Sequence, residues 1–188
     1  MIAKSPDELL HSLKGIVSVE DGRAHVLDEA RLRGPAMDDL VLSAVFAEGQ
    51  ARATARFLLW ELGQELGVRP ASINDLYRAR GRGETREGWA VPAMNLRVLT
   101  YDTARAVFRA ALTRDVGAMI FEIARSEIGY TAQRPAEYTT VIIGAAIREG
   151  YRGPLFVQGD HFQMSAKKYA SAPDAELKAV DDLIREAI

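Results

Sequence analysis

From Gly88 onward the chain alternates short apolar runs with amphipathic helical stretches, and this rhythm restricts it to a parallel α/β sheet. Trp89 to Met94 is the first apolar run, followed by a helix from about Tyr101 to Leu112. Val116 to Ile123 is almost continuously apolar, as in a strand covered on both faces. Arg134-Pro135 opens the next helix and Gly150 closes it. Gly153 to Gln158 is the third strand. Ser171-Ala172-Pro173-Asp174 then caps a helix striped with Leu177, Val180, Leu183 and Ile184.

Residues 1–88 read differently. Ser5-Pro6-Asp7-Glu8 carries a capping Ser, a first-turn Pro and an acid three residues on, which starts a helix. Glu20-Asp21-Gly22 between Ile16–Val19 and Ala24–Leu27 fits a small hairpin. Helices are expected over about 37–47 and 50–66, the second with Ala55, Leu58, Leu59, Leu62 and Leu66 on one stripe. Gly67 and Pro70 end it, and Ser72 can cap a short helix through Tyr77. Arg80 to Gly88, with three glycines and alternating charge, reads as a connector. The division is therefore a helical N-terminal extension with its linker, 1–88, and an α/β part, 89–188.

A (β/α)₈ barrel takes eight strands and roughly 250 residues. Residues 89–188 offer three strand candidates with helices between them. The expectation is an α/β fold: a partial (β/α)8 TIM barrel, its first three βα units, preceded by the mainly helical extension. Three such strands would leave an unpaired edge.

The 24 basic and 26 acidic side chains nearly cancel, which lacks the electrostatic footprint of a nucleic-acid binder. With no cysteine, disulfides, thiolate metal sites and Cys nucleophiles are excluded. No window approaches the roughly 20 apolar residues of a membrane span, and the start lacks a secretory signal pattern. A cytoplasmic protein without a membrane partner is expected. Association into a homo-oligomer is left open.

In a parallel sheet, ligands gather at the carboxyl ends of the strands. The third strand runs into Asp160-His161, an acid and an imidazole suited to proton transfer and metal ligation; the plainer alternative is a loop cap beside a satisfied polar residue. Glu122 ends the second strand and needs a partner or a task, the partner being Arg97 or Arg125. Arg97, after the first strand, is a candidate for binding phosphate.

Val91-Pro92-Ala93-Met94-Asn95 resembles the first-strand run of class II (zinc-dependent) ketose-bisphosphate aldolases. Phe156-Val157-Gln158-Gly159-Asp160-His161 resembles their His-x-Asp-His strand, and the intervening helix and strand fall in matching order over about residues 72–188. The resemblance implies that His161 ligates a catalytic zinc and that Asp160 is the acid/base group at the substrate hydroxyl. It also implies that Asn95 contacts a phosphorylated ketose, such as fructose 1,6-bisphosphate, and that Ser126 binds its phosphate. Gln158 stands where the family has His, Gly159 where Leu is common, and Phe162 where a small residue follows the ligand. A catalytic zinc takes three protein ligands, yet the histidines here are His11, His25 and His161, the first two in the extension. The metal site is expected to be incomplete in this chain, which alone would be inactive. The alternative is a non-catalytic, aldolase-like barrel acting as a binding or structural module.

Overall fold

The computed structural model describes residues 1–188. Its elements run α1 (Pro6–Ser12), β1 (Val17–Glu20), β2 (Arg23–Val26), α2 (Glu29–Arg31), α3 (Met37–Phe46), α4 (Gly49–Glu65), β3 (Val68–Ala71) and α5 (Asn74–Gly81). After these come β4 (Ala93–Asn95), α6 (Thr100–Thr113), β5 (Ile120–Ile123), α7 (Arg125–Thr131), α8 (Pro135–Glu149), β6 (Gly153–Gly159), α9 (Ala166–Ser171) and α10 (Pro173–Ala187). A π-helical stretch, Leu32–Ala36, joins α2 to α3.

Local chemistry accounts for the boundaries. Ser5 Oγ accepts from the Glu8 N–H at 3.1 Å, and Pro6 sits at the first helical position of α1. Asp21 and Gly22, both at positive φ, turn the β1–β2 hairpin. Gly150 takes φ +85° to end α8.

The fold is α/β, built on a parallel four-stranded sheet of order β3-β6-β5-β4. One feature was not anticipated: β3 arises before residue 88 and lies along the free side of β6. Val68-Arg69-Pro70-Ala71 is short and holds a proline, which removes an amide donor and suits an edge strand. The edge of β6 is thus paired by the chain's own earlier segment.

β4 and β5 are shorter than their apolar runs. Pro92 contributes only its carbonyl, which accepts from Ile120 N at 2.9 Å. The N–H of Val116 is spent on Ala111 O at the end of α6, beyond Asp115 at φ +52°, so that run pairs only from Ile120.

One core joins the two parts of the sequence. Leu40, Leu58, Leu59, Leu62, Phe108, Phe121, Tyr138 and Ile142 are all fully enclosed in it. α8 packs on α3, α4 and α6, so the helices cover one sheet face. The opposite face carries a small cluster of Ile73, Ile120 and Phe156, with Leu76 of α5 against it. Toward the carboxyl ends this face turns polar. No helix is long and apolar enough to cross a membrane.

Candidate functional site

Strand register builds the polar end. Asn95 pairs with Glu122, and Glu122 with Gln158, so the three form a row across β4, β5 and β6. Side chains alternate along a strand. Phe121 and Ile123 enter the helix-side core, which turns Glu122 to the opposite face. There Glu122 Oε1 accepts from Gln158 Nε2. Its partner is therefore neither Arg97 nor Arg125.

Asn95 is the hub. Its Nδ2 donates to Asp160 Oδ2 and to Glu127 Oε2, each at 3.0 Å. Asp160 Oδ1 lies 3.2 Å from His161 Nε2. The carboxyl ends of β4 and β6 are therefore bridged by one amide, and the acid–imidazole pair stands beside it. Arg97 Nε donates to Glu127 Oε1, and the N–H of Ala124 donates to Glu127 Oε2 at 2.9 Å.

From sequence, Glu127 is one of several polar residues in the segment after the second strand, with no role of its own. It is the third residue of α7, where an acid can reach back to the N-cap amide. Ala124, Glu127 and Ile128 share one helical face, and all three are buried. A carboxylate on such a face is the signal that marks it. Burial raises its pKa, but bonds from the Ala124 N–H, Asn95 and Arg97 outweigh that, and the carboxyl is held below the ordinary range.

The loop after β6 is tied down on both sides. Asp160 N donates to Ile123 O at 3.1 Å and Arg125 N to His161 O at 3.2 Å, continuing the pairing beyond the strands. Arg125 also binds Gln163 O and forks onto Glu176 of α10. Arg125 and the Ser165 N–H together pull Glu176 down to about 2.

Two departures from the aldolase pattern prove to be one feature. A Cβ at position 159 would lie 2.7 Å from Phe162 Cε1, so the ring occupies the space that a side chain there would take. Gly159 permits Phe162 to fold back, partly buried, against the core. The residue after His161 therefore turns inward.

His161 is exposed and lines a cleft of about 620 Å³ with Ser126, Arg125, Arg134 and Lys168. Ser126 belongs to this cleft and not to the Asn95 network. Asn95, Arg97 and Asp160 share one network, Glu122 adjoins it through the strand row, and His161 links network and cleft.

A zinc ion needs a convergent donor set, commonly three side chains at a catalytic site. No three of the chain's His, Asp and Glu groups converge in that way. His11 lies on α1, and His25 on β2 pairs with Glu65 at 3.6 Å. Asp160 and His161 supply two donors, so the residues present do not by themselves fit a three-ligand zinc. No family model matches the sequence, and no curated protein or solved structure matches it either.

Proposed function

We propose that these residues form one side of the active site of a class II aldolase-type lyase, which reversibly cleaves a phosphorylated ketose. In this reading β4, β5 and β6, adjacent and in order, correspond to the first three strands of a (β/α)₈ barrel, with β3 standing on the edge of β6 where a fourth would pair. Asp160 moves the proton at the substrate hydroxyl next to the bond that breaks. Asn95 holds the substrate beside it, and Arg97 and Ser126 are the candidates for phosphate. His161 would be one ligand of a zinc ion, which would polarise the ketose carbonyl only if further ligands joined it, since Asp160 and His161 alone do not complete the set. The observation that supports it is the Asn95 amide, which bridges the ends of β4 and β6 by its bond to Asp160.

The test is release of triose phosphate from fructose 1,6-bisphosphate by the native protein, followed in a coupled assay. Chelation should abolish it, and borohydride should not trap a Schiff base. Asp160→Asn should lower kcat by about 10²–10⁴-fold, the usual range for a lost general acid/base. Full activity in Asp160→Asn, or no cleavage with zinc supplied, would sink the reading.

A second reading, a non-catalytic binding module of the same architecture, is favoured by the engagement of Gln158 with Glu122 where the family places a ligand. It expects ketose phosphate to bind without turnover.

A further inference from the structure

We infer that Glu127 is a positioning residue that fixes the Asn95 amide, so that Asn95 meets its ligand with a carbonyl oxygen and selects a hydroxyl donor next to Asp160. The inference rests on the ketose reading for the choice of ligand. Its geometric part stands on the contacts alone.

Asn95 faces two carboxylates, Glu127 Oε2 and Asp160 Oδ2, each 3.0 Å from the same nitrogen. A carboxylate accepts, and of the two ends of an amide only the NH₂ can donate. Both Nδ2 hydrogens are therefore committed, one to each acid. Reversing the amide would set its oxygen against two acceptors and strand both. Oδ1, meanwhile, has no hydrogen-bond partner within the protein.

Asp160 alone would not enforce this, because in the ketose reading its carboxylate leaves Asn95 for the substrate hydroxyl. Glu127 is the fixed member. It is buried, sits in the first turn of α7, and is anchored by the Ala124 N–H at 2.9 Å and by Arg97. With one hydrogen of Asn95 held by this anchor, the amide cannot turn when Asp160 exchanges its partner for substrate. Oδ1 remains an acceptor throughout. The hydroxyl whose single proton Asp160 moves cannot also donate to Oδ1, so Oδ1 accepts from the ligand's neighbouring hydroxyl, across the bond that breaks, and a ligand lacking that neighbour forfeits a hydrogen bond.

Binding and exchange measurements on the whole protein test this. Calorimetry with fructose 1,6-bisphosphate and with its 3-deoxy analogue should show the hydroxylated ligand binding about tenfold more tightly, as one hydrogen bond contributes. Glu127→Ala should bring that ratio close to one. Glu127→Gln should restore it, because a glutamine carbonyl can still accept from Asn95 and Ala124. A structural role alone would weaken both ligands equally and leave the ratio unchanged, which would overturn the inference. Should Glu127→Ala fail to fold, NMR of the native protein decides. The Asn95 side-chain NH₂, assigned by its loss in Asn95→Leu, should exchange slowly with solvent. Fast exchange refutes the anchoring whatever the variants do. If neither ketose binds but exchange is slow, the ketose reading fails and the role of Glu127 stands.

Discussion

Gly144 lies buried in α8, where that helix crosses α3 and α4, and replacing it with Ala pits two effects against each other. Ala is a better helix former by about 1 kcal/mol, so helix propensity alone predicts stabilisation. The structure predicts the reverse. A Cβ on Gly144 would collide with Val41 Cγ2 on α3, closer than real Cβ atoms come, while Leu59 Cδ2 lies 3.4 Å away on α4. Val41 is itself buried and β-branched, so it cannot swing aside cheaply. Overpacking of this kind costs about 1–3 kcal/mol. Setting the propensity gain against it leaves a net loss of about 1 kcal/mol, a fall in melting temperature of about 2–4 °C for a chain of this size. Gly129 in α7 is the control, since a Cβ there meets nothing within 4 Å. Gly129→Ala should therefore raise the melting temperature through propensity alone. Thermal denaturation of both variants, followed by circular dichroism, should give shifts of opposite sign. If Gly144→Ala also stabilises, the close approach of α8 to α3 is refuted.

Two further outcomes follow from the same contacts. The Tyr138 hydroxyl donates to Glu122 O at 2.7 Å from a fully enclosed ring, so Tyr138→Phe should cost about 1 kcal/mol in denaturant unfolding; no change would mean that the carbonyl finds another donor. Glu176 has its pKa pulled from 4.5 to about 2 by Arg125 and the Ser165 N–H, so its charge stabilises the fold above pH 4.5 and that contribution is lost as pH falls toward 2. The difference in melting temperature between the native protein and Glu176→Gln should accordingly be largest near neutrality and close across that acid range; a difference independent of pH would remove the ion pair from the account.

The helices most legible in the sequence were those with long stripes, because periodicity reports burial on one face. α4 falls where the stripe of Leu58, Leu59 and Leu62 predicts it, and α8 between the Pro135 start and the Gly150 stop, with Val141, Ile142 and Ala145 on its buried side. Elements made by tertiary contact were not legible. β3 has no apolar alternation, and what makes it a strand is β6, whose edge lies more than 80 residues later in the chain. α7 lacks a Ser, Thr, Asp or Asn at its N-cap, so the usual start signal is missing and a backward-reaching Glu127 takes its place. Ser171 looked like the cap of α10, yet its hydroxyl bonds backward to the carbonyls of Lys167 and Lys168, closing α9, and Ala172 holds the N-cap position.

The two glutamates of β5 and α7 show why the site was only partly readable. Glu122 stood out because it ends an apolar run, and a charge there invites a function. A strand has two faces, however, and its neighbours Phe121 and Ile123 took the buried one, leaving Glu122 half-buried and served by Gln158. Glu127 had no role of its own because it lies among polar residues, Arg125, Ser126 and Tyr130, that look like a loop. Only when that segment coils does Glu127 come beside Ala124 and Ile128 on the inward face, within reach of Asn95 and Arg97 some thirty residues upstream. Burial makes its charge costly to leave unpaired, and three donors meet it. The Asp160-His161 dipeptide could be read from its place at a strand end. The group that orders its surroundings could be read only after β4 and β5 lay side by side.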